Sequence, residues 1–164
     1  MYYPKAKGLI FLILILISFI TFAKPCIEKS YNQKGLKYLN KKNYSLAEAN
    51  FKKALQCNPK KPFIYNNLAV ALINLKRYNE AENYLKKALK LKPHYLKALS
   101  NLASIYYYKG QYKKAYEVYK KVNRLDSYFI KRRFPQNKVL SKMKARSKKR
   151  PHDYILKKII NYLQ

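Results

Sequence analysis

The sequence predicts an all-α fold, a solenoid of three helical hairpins followed by a basic C-terminal helical extension. Two observations support this fold class. Apolar residues recur at steps of three and four, which is the spacing of one face of an α-helix. The same pattern returns every 34 residues through the middle of the chain, and a repeat of that length is typical of stacked helical units. The 164 residues allow one such domain with short additions.

The first element is a predicted targeting segment, residues 1–23. It begins with two lysines and no acid, and it continues without charge from residue 8 to residue 23. This is the pattern of a secretory signal peptide. The uncharged run has 16 residues, whereas a membrane span needs about 20, so its length favours a cleaved signal over an uncleaved membrane anchor. A lipoprotein is disfavoured because Lys24 and Pro25 precede Cys26. We expect an exported protein, in the periplasm or on the extracytoplasmic face of the membrane.

Three repeats of 34 residues follow, at 28–61, 62–95 and 96–129, and they stay in register without insertions. Positions 4, 7, 8 and 11 of each repeat share one helix face, and positions 20, 24 and 27 share a face of a second helix. Polar residues interrupt the periodicity between the two helices, where we expect a turn. The columns that define the register are position 8 (Gly35, Ala69, Ala103), position 20 (Ala47, Ala81, Ala115), position 24 (Phe51, Leu85, Tyr119), position 27 (Ala54, Ala88, Val122) and position 32 (Pro59, Pro93, Ser127).

Each column has a physical reason. Small residues at positions 8 and 20 let the two helices approach closely, and proline at position 32 ends the second helix. One hairpin cannot bury its apolar face alone, whereas stacked hairpins bury a continuous core. The columns resemble the tetratricopeptide repeat (TPR) family, whose pattern is W-x2-L-G-x2-Y, then A-x3-F, then P. Lys34 departs from the pattern, where leucine is usual, and so does Ser127, where the last proline is expected.

The resemblance implies a concave groove lined by the first helix of each repeat. In the family, positions 2, 5, 9, 12 and 13 face this groove, and here they carry amide, aliphatic and phenol groups. Such groups suit an extended or helical peptide of a partner protein. A clamp for a peptide carboxylate is not predicted, because Leu36 stands where that clamp needs asparagine. The candidate residues of the partner-binding groove are Asn32, Leu36, Phe63, Asn66, Val70, Ile73, Lys97, Ser100, Ser104, Tyr107 and Tyr108.

The C-terminal extension, residues 130–164, has the highest density of positive charge. Ten lysines and arginines, and no acid, lie between residues 130 and 150. A helix is expected after Pro135, and an amphipathic helix after Asp153 as a possible N-cap. We expect this last helix to pack against the preceding helix or repeat 3; docking onto a partner or a membrane is the alternative. The candidate residues for an anionic surface are Arg132, Arg133, Lys142, Lys144, Arg146, Lys148, Lys149 and Arg150.

The two cysteines raise a question of pairing. Cys26 precedes the first helix of repeat 1 and Cys57 ends the second, so both lie at the same end of an antiparallel hairpin. In an oxidising compartment they could form a disulfide. Alternatively, Cys57 is only a small apolar residue in a column that reads Leu91 and Leu125 in the other repeats. The sequence leaves both interpretations open.

The sequence lacks the residue arrangements that most enzyme active sites need. The three glycines are scattered, the two cysteines and two histidines fit no metal motif, and the seven acids show no pairing and fit helix surfaces or caps. We therefore expect no enzyme activity, no cofactor and no metal. The sequence predicts a non-catalytic protein–protein interaction scaffold at the cell envelope, which binds a partner peptide or helix in the groove.

A net charge of +30 supports an alternative, an electrostatic binder of an anionic surface or polymer. Membrane lipid and cell-wall polymer are the candidates for that surface. Nucleic acid is less expected because export would remove it from reach.

Overall fold

A computed structural model describes residues 27–150 and 152–163 of the chain, and these residues form helices with no strand among them. The predicted all-α solenoid is confirmed. The predicted targeting segment, residues 1–23, and Cys26 lie outside the described residues. The helices are α1 Glu28–Asn40, α2 Tyr44–Cys57, α3 Pro62–Asn74, α4 Tyr78–Leu91, α5 Leu96–Tyr108, α6 Tyr112–Leu125, α7 Ser127–Arg133, α8 Gln136–Lys149 and α9 Tyr154–Leu163.

The first six helices form three antiparallel hairpins, one in each repeat. In every hairpin the first helix has 13 residues and the second has 14. Consecutive helices pack against each other along the whole series, so each hairpin contacts mainly its neighbours in sequence. This nearest-neighbour packing is the property that defines a solenoid.

Each hairpin turns through the same motif. The residue at position 15 of the repeat has a positive φ angle, 59° in Lys42, 61° in Lys76 and 75° in Gly110. The N–H of Asn43 then donates to the carbonyl of Tyr38 at 2.9 Å, which is the outer hydrogen bond of a Schellman motif. The equivalent bonds join Arg77 to Leu72 and Gln111 to Tyr106. Glycine adopts this left-handed conformation without the Cβ penalty that the two lysines accept.

The main core lies between the two helices of each hairpin and between hairpins. It contains the small residues of positions 20 and 27 and the larger residues of position 24, all fully buried in repeats 1 and 2. Gly35 contacts Phe51 so closely that a Cβ on the glycine would lie 2.5 Å from the phenyl ring. Repeat 2 places Ala69 and Leu85 in the same two positions. The glycine of repeat 1 therefore compensates for the larger ring opposite it.

Two glutamates join successive repeats, and this differs from the prediction that the acids lie on helix surfaces or at caps. Glu48 is buried and accepts hydrogen bonds from Arg77 of the next repeat at 2.6 Å and from Lys52 at 2.7 Å. Glu82, one repeat later, pairs with Lys109 at 2.8 Å and with Lys86 at 2.7 Å. The expectation failed because a carboxylate can be buried when cations of the adjacent turn reach it.

Burial and ion pairing act in opposite directions on these two carboxyl groups. Burial alone would raise the pKa of Glu82, but hydrogen bonds from Lys109 and Lys86 outweigh it and lower the pKa to about 2. The pKa of Glu48 is lowered in the same way, against burial, by hydrogen bonds from Lys52 and Arg77. Both groups are therefore ionised at neutral pH and attract the next repeat.

The C-terminal extension covers the last repeat in two pieces. Helix α7 packs Ile130 against Leu99 and Val122, and it crosses the predicted boundary between repeat 3 and the extension. Helices α8 and α9 pack against each other and against Tyr112 through Met143, Leu156, Ile159 and Ile160. This arrangement agrees with the expectation that the last helix packs against its neighbours. Asp153 caps α9 by accepting a hydrogen bond from the N–H of Leu156 at 2.9 Å.

Candidate functional site

The first helices of the three repeats form the inner side of the solenoid. Two asparagine pairs join them directly, because Asn67 of α3 donates to Asn32 of α1 at 3.3 Å and Asn101 of α5 donates to Asn66 of α3 at 2.9 Å. The second helices contact the first helices on either side of them in the series. The α1–α3–α5 face is therefore the concave face, and we call it the groove.

Three large apolar residues are exposed in the groove, one on each first helix. Leu36 of α1, Phe63 of α3 and Tyr108 of α5 have exposed fractions of 36%, 37% and 46%. Val70 of α3 is half-buried, and Lys97 is exposed at the start of α5. The groove thus combines separate apolar contacts with a positive edge, which is the composition of a peptide-binding surface.

Two predicted groove residues are buried instead. Asn66 is 5% exposed and Ser100 is 1% exposed. The amide oxygen of Asn66 accepts the hydrogen bond from Asn101, and the hydroxyl of Ser100 donates to the carbonyl of Lys97 at 3.0 Å. Asn66 therefore joins neighbouring first helices and Ser100 bonds within its own helix, so neither side chain is available to a partner.

The other predicted groove residues have intermediate positions. Asn32 is half-buried and its amide oxygen is bonded to Asn67, while Ile73 is half-buried against the main core. The hydroxyl of Ser104 donates to the carbonyl of Ser100 within α5 at 3.1 Å. These side chains form the floor of the groove, below the exposed apolar residues.

The C-terminal extension closes one end of the groove. The guanidinium of Arg146 lies 5.1 Å from the ring centre of Tyr107 and donates to the backbone carbonyl of Tyr108 at 3.4 Å. Arg133 donates to the amide oxygen of Asn101 at 3.0 Å. Burial raises the pKa of the Tyr107 phenol, and Arg146 opposes that shift. Tyr107 is therefore a packing residue for the extension as well as a groove residue.

The residues predicted to contact an anionic surface fall into two groups, those bonded to repeat 3 and those that are exposed. Arg133 and Arg146 hold the extension against repeat 3, so their charge is partly used inside the protein. The remaining six side chains are exposed, and they are Arg132, Lys142, Lys144, Lys148, Lys149 and Arg150. The exposed charge is concentrated on the C-terminal part of α8.

Comparison with known proteins agrees with this geometry. Two sequence profiles described as tetratricopeptide repeat match residues 28–61 and 61–125, which together are more than half of the chain. The chain belongs to the tetratricopeptide repeat family. Comparison with curated proteins gives no match.

Several solved TPR structures share the fold. The first TPR domain of Spaghetti (RPAP3), bound to the HSP90 peptide SRMEEVD, is 20% identical with a TM-score of 0.60, over 83% of this chain and 89% of that domain. The TPR2B domain of yeast Sti1, in complex with pHsp70, is 19% identical with a TM-score of 0.62, over 68% and 92%. MamA from MSR-1 is 34% identical with a TM-score of 0.58, over 63% of this chain and 60% of that protein.

Repeat 3 has a face that a further TPR repeat would cover, and a cavity of about 500 Å³ adjoins this face. The cavity lies between repeat 3 and the extension, and it includes three predicted groove residues, Ser104, Tyr107 and Tyr108. Sequence analysis did not find it. The other lining residues are Ala103, Tyr112, Ala115, Tyr116, Tyr119, Arg132, Arg133, Phe134, Pro135, Lys138, Val139, Lys142, Met143 and Ile159.

Other kinds of site have no support in the described part of this TPR protein. Residues 27–150 and 152–163 contain no group of three potential metal ligands. Within the same residues, no helix combines the length and the apolar character needed to cross a membrane. Cys57 ends α2 half-buried and is disulfide-bonded. Its predicted partner Cys26 lies outside the described residues, so the pairing of the two stays a prediction.

The inter-repeat glutamates are the residues that sequence reasoning missed. Both occupy position 21, so their recurrence in Glu48 and Glu82 was the available signal. Repeat 3 has Tyr116 at this position, and in the described part of the chain no further TPR repeat follows repeat 3. The change from glutamate to tyrosine marks the face where the regular stacking ends.

Proposed function

We propose that the protein is a non-catalytic protein–protein interaction scaffold at the cell envelope, with a partner peptide or helix bound in the groove. The observation that supports this most strongly is the exposure of three large apolar side chains on the groove face, Leu36, Phe63 and Tyr108, one on each first helix. Exposed apolar residues on a concave surface are typical of binding sites, because a partner can bury them.

The TPR neighbours support the use of this face. The Spaghetti (RPAP3) domain is bound to the HSP90 peptide SRMEEVD, and the TPR2B domain of yeast Sti1 is in complex with pHsp70. In this chain the groove has the exposed lysines Lys29 and Lys97. A segment with apolar anchors and acidic residues would complement both features. Such a segment is the partner that we propose.

The location at the envelope rests on the predicted targeting segment and on the exposed charge of α8. A signal or anchor at residues 1–23 would take the solenoid across the membrane. Lys144, Lys148 and Lys149 would then provide an attachment to anionic lipid or cell-wall polymer. In this proposal the groove binds the partner, and the C-terminal extension attaches the protein to the envelope surface.

A photocrosslinking experiment tests the groove. A photoreactive phenylalanine derivative is incorporated at Phe63 in cells, and the matched control carries it at Leu46, an equally exposed apolar residue of α2 on the outer side. We expect a discrete protein adduct at residue 63 that is absent at residue 46 and that survives a high-salt wash. Apolar burial resists salt, whereas exposed charge contacts are screened. Equal adducts at both positions would contradict a groove-specific partner.

The second candidate function is electrostatic binding to a polyanion, which the exposed cations of α8 favour. This binding should be released steeply between low and moderate salt, because each neutralised charge contributes to the salt dependence. Adducts at residue 63 that disappear with added salt would support this second function over the first.

A further inference from the structure

The cavity results from the way in which the extension covers repeat 3. On one side, Ile130 of α7 packs against Leu99 and Val122. On the other side, Met143 of α8 packs near Tyr112. The space between these two contacts is left open, and its volume is about 500 Å³. The two pieces of the extension therefore form the opposite walls of a pocket.

The pocket occupies the place where a fourth repeat would stack. At position 20, Ala47 and Ala81 are fully buried, whereas Ala115 of repeat 3 is half-buried. At position 24, the side chains of repeats 1 and 2 are again fully buried, and Tyr119 of repeat 3 is half-buried. A surface that is buried in two repeats and open in the third requires an occupant or leaves an apolar face to water.

The lining of the cavity is aromatic and positive. Five tyrosines of repeat 3 contribute to it, at residues 107, 108, 112, 116 and 119, together with aliphatic residues of α8 and α9. Two arginines and two lysines also line it, and none of its lining residues in the described chain is acidic. The cations are Arg132, Arg133, Lys138 and Lys142. An apolar wall next to concentrated positive charge suits a ligand with an apolar body and an acidic group.

The size of the cavity suits a small molecule. Its volume is about 500 Å³. Pockets of roughly 300–1,000 Å³ are typical of small-molecule sites.

We propose that this cavity binds a small anionic amphiphile, with its apolar body against the tyrosines and its acidic group beside Lys138 and Lys142. This function goes beyond peptide binding in the groove. The two sites adjoin, because Tyr107 and Tyr108 line both.

The test uses dodecanoate below its micellar concentration as the probe, with binding to the full-length chain measured by titration calorimetry. Val139 is half-buried on the cavity wall, so Val139→Trp fills the space, and Ala49→Trp on the exposed face of α2 is the matched control. We expect Val139→Trp to weaken dodecanoate binding at least tenfold and Ala49→Trp to leave it unchanged. Unchanged binding by a folded Val139→Trp protein would overturn the proposal.

A further variant keeps the test decisive if Val139→Trp does not fold. Substituting Lys138 and Lys142 together by methionine should weaken dodecanoate binding about tenfold, while the same change at Lys144 and Lys148, which do not line the cavity, should not. The unaltered chain should bind dodecan-1-ol less tightly than dodecanoate. Equal binding of the alcohol and the acid would overturn the assignment of an anionic ligand.

Discussion

At the scale of single residues, Gly35 and Phe51 are a matched pair. A Cβ on residue 35 would lie between 2.5 and 2.9 Å from three atoms of the Phe51 ring. We therefore expect Gly35→Ala to lower the free energy of unfolding by about 1–3 kcal/mol, the usual effect of overpacking. Thermal unfolding followed by circular dichroism measures the change.

The second repeat provides the control for this prediction, because it carries Ala69 and Leu85 at the same positions. Combining Gly35→Ala with Phe51→Leu recreates that pair in repeat 1. The double variant should lose less stability than the sum of the two single variants. Additive losses would show that the alanine and the ring do not compete for the same space.

Because of Glu82, the free energy of unfolding should depend on pH. Its pKa is about 2, below the ordinary value of 4.5, so the ion pair stabilises the fold above pH 4.5 and the effect disappears as the pH falls towards 2. We expect Glu82→Gln to cost about 2 kcal/mol at neutral pH, less than the full pKa shift implies because Lys86 is largely exposed. Urea unfolding at a series of pH values should show this difference shrinking with acid.

The matched control for Glu82 is Glu117→Gln, because Glu117 is an exposed glutamate of α6 that pairs within its own helix, with Lys120. This variant should differ little from the unaltered chain across the same pH range. A difference between Glu82→Gln and the unaltered chain that does not change with pH would contradict the assigned ion pair.

At the scale of helices, α9 belongs to a local unit of the solenoid. Leu156 is fully buried in the cluster that joins α9 to α8 and Tyr112. We expect Leu156→Ala to increase amide hydrogen exchange in α8 and α9 and to leave α1–α4 unchanged, because each element contacts mainly its neighbours. The comparison is Leu68→Ala in the main core, which should increase exchange through repeats 1 to 3. Equal effects of the two variants would argue for one cooperative unit.

Helix periodicity explains how much of the fold could be predicted. Helices α1 to α6 follow the 34-residue columns, and α8 and α9 follow their apolar stripes. Helix α7 was not predicted, because only one of its seven side chains, Ile130, is fully buried, and three of the others are exposed basic ones. A single buried residue gives no period. The helix exists because Asp126 caps it and because repeat 3 offers an apolar surface for Ile130.

At the scale of the whole molecule, the groove could be predicted from the sequence and the cavity could not. The resemblance to the TPR family placed the groove on the first helix of each repeat, so the exposure of Leu36, Phe63 and Tyr108 could be predicted. Asn66 and Ser100 could not be separated from them, because burial at position 5 depends on the distance between neighbouring hairpins. The cavity depends on where the extension fails to touch repeat 3, and a local sequence pattern does not encode that distance.

Whole-molecule charge leads to a final prediction about attachment to a surface. Replacing Lys144, Lys148 and Lys149 by glutamine should weaken binding to phosphatidylglycerol vesicles by on the order of 100-fold at low salt, because each lysine near an anionic surface contributes about 1 kcal/mol. The control replaces three exposed lysines of the solenoid, Lys41, Lys60 and Lys90, and loses the same net charge. If the extension is the attachment site, vesicle sedimentation should show a much smaller loss for the control. Equal losses would mean that the net charge of the whole protein attracts the surface, and that α8 has no special role.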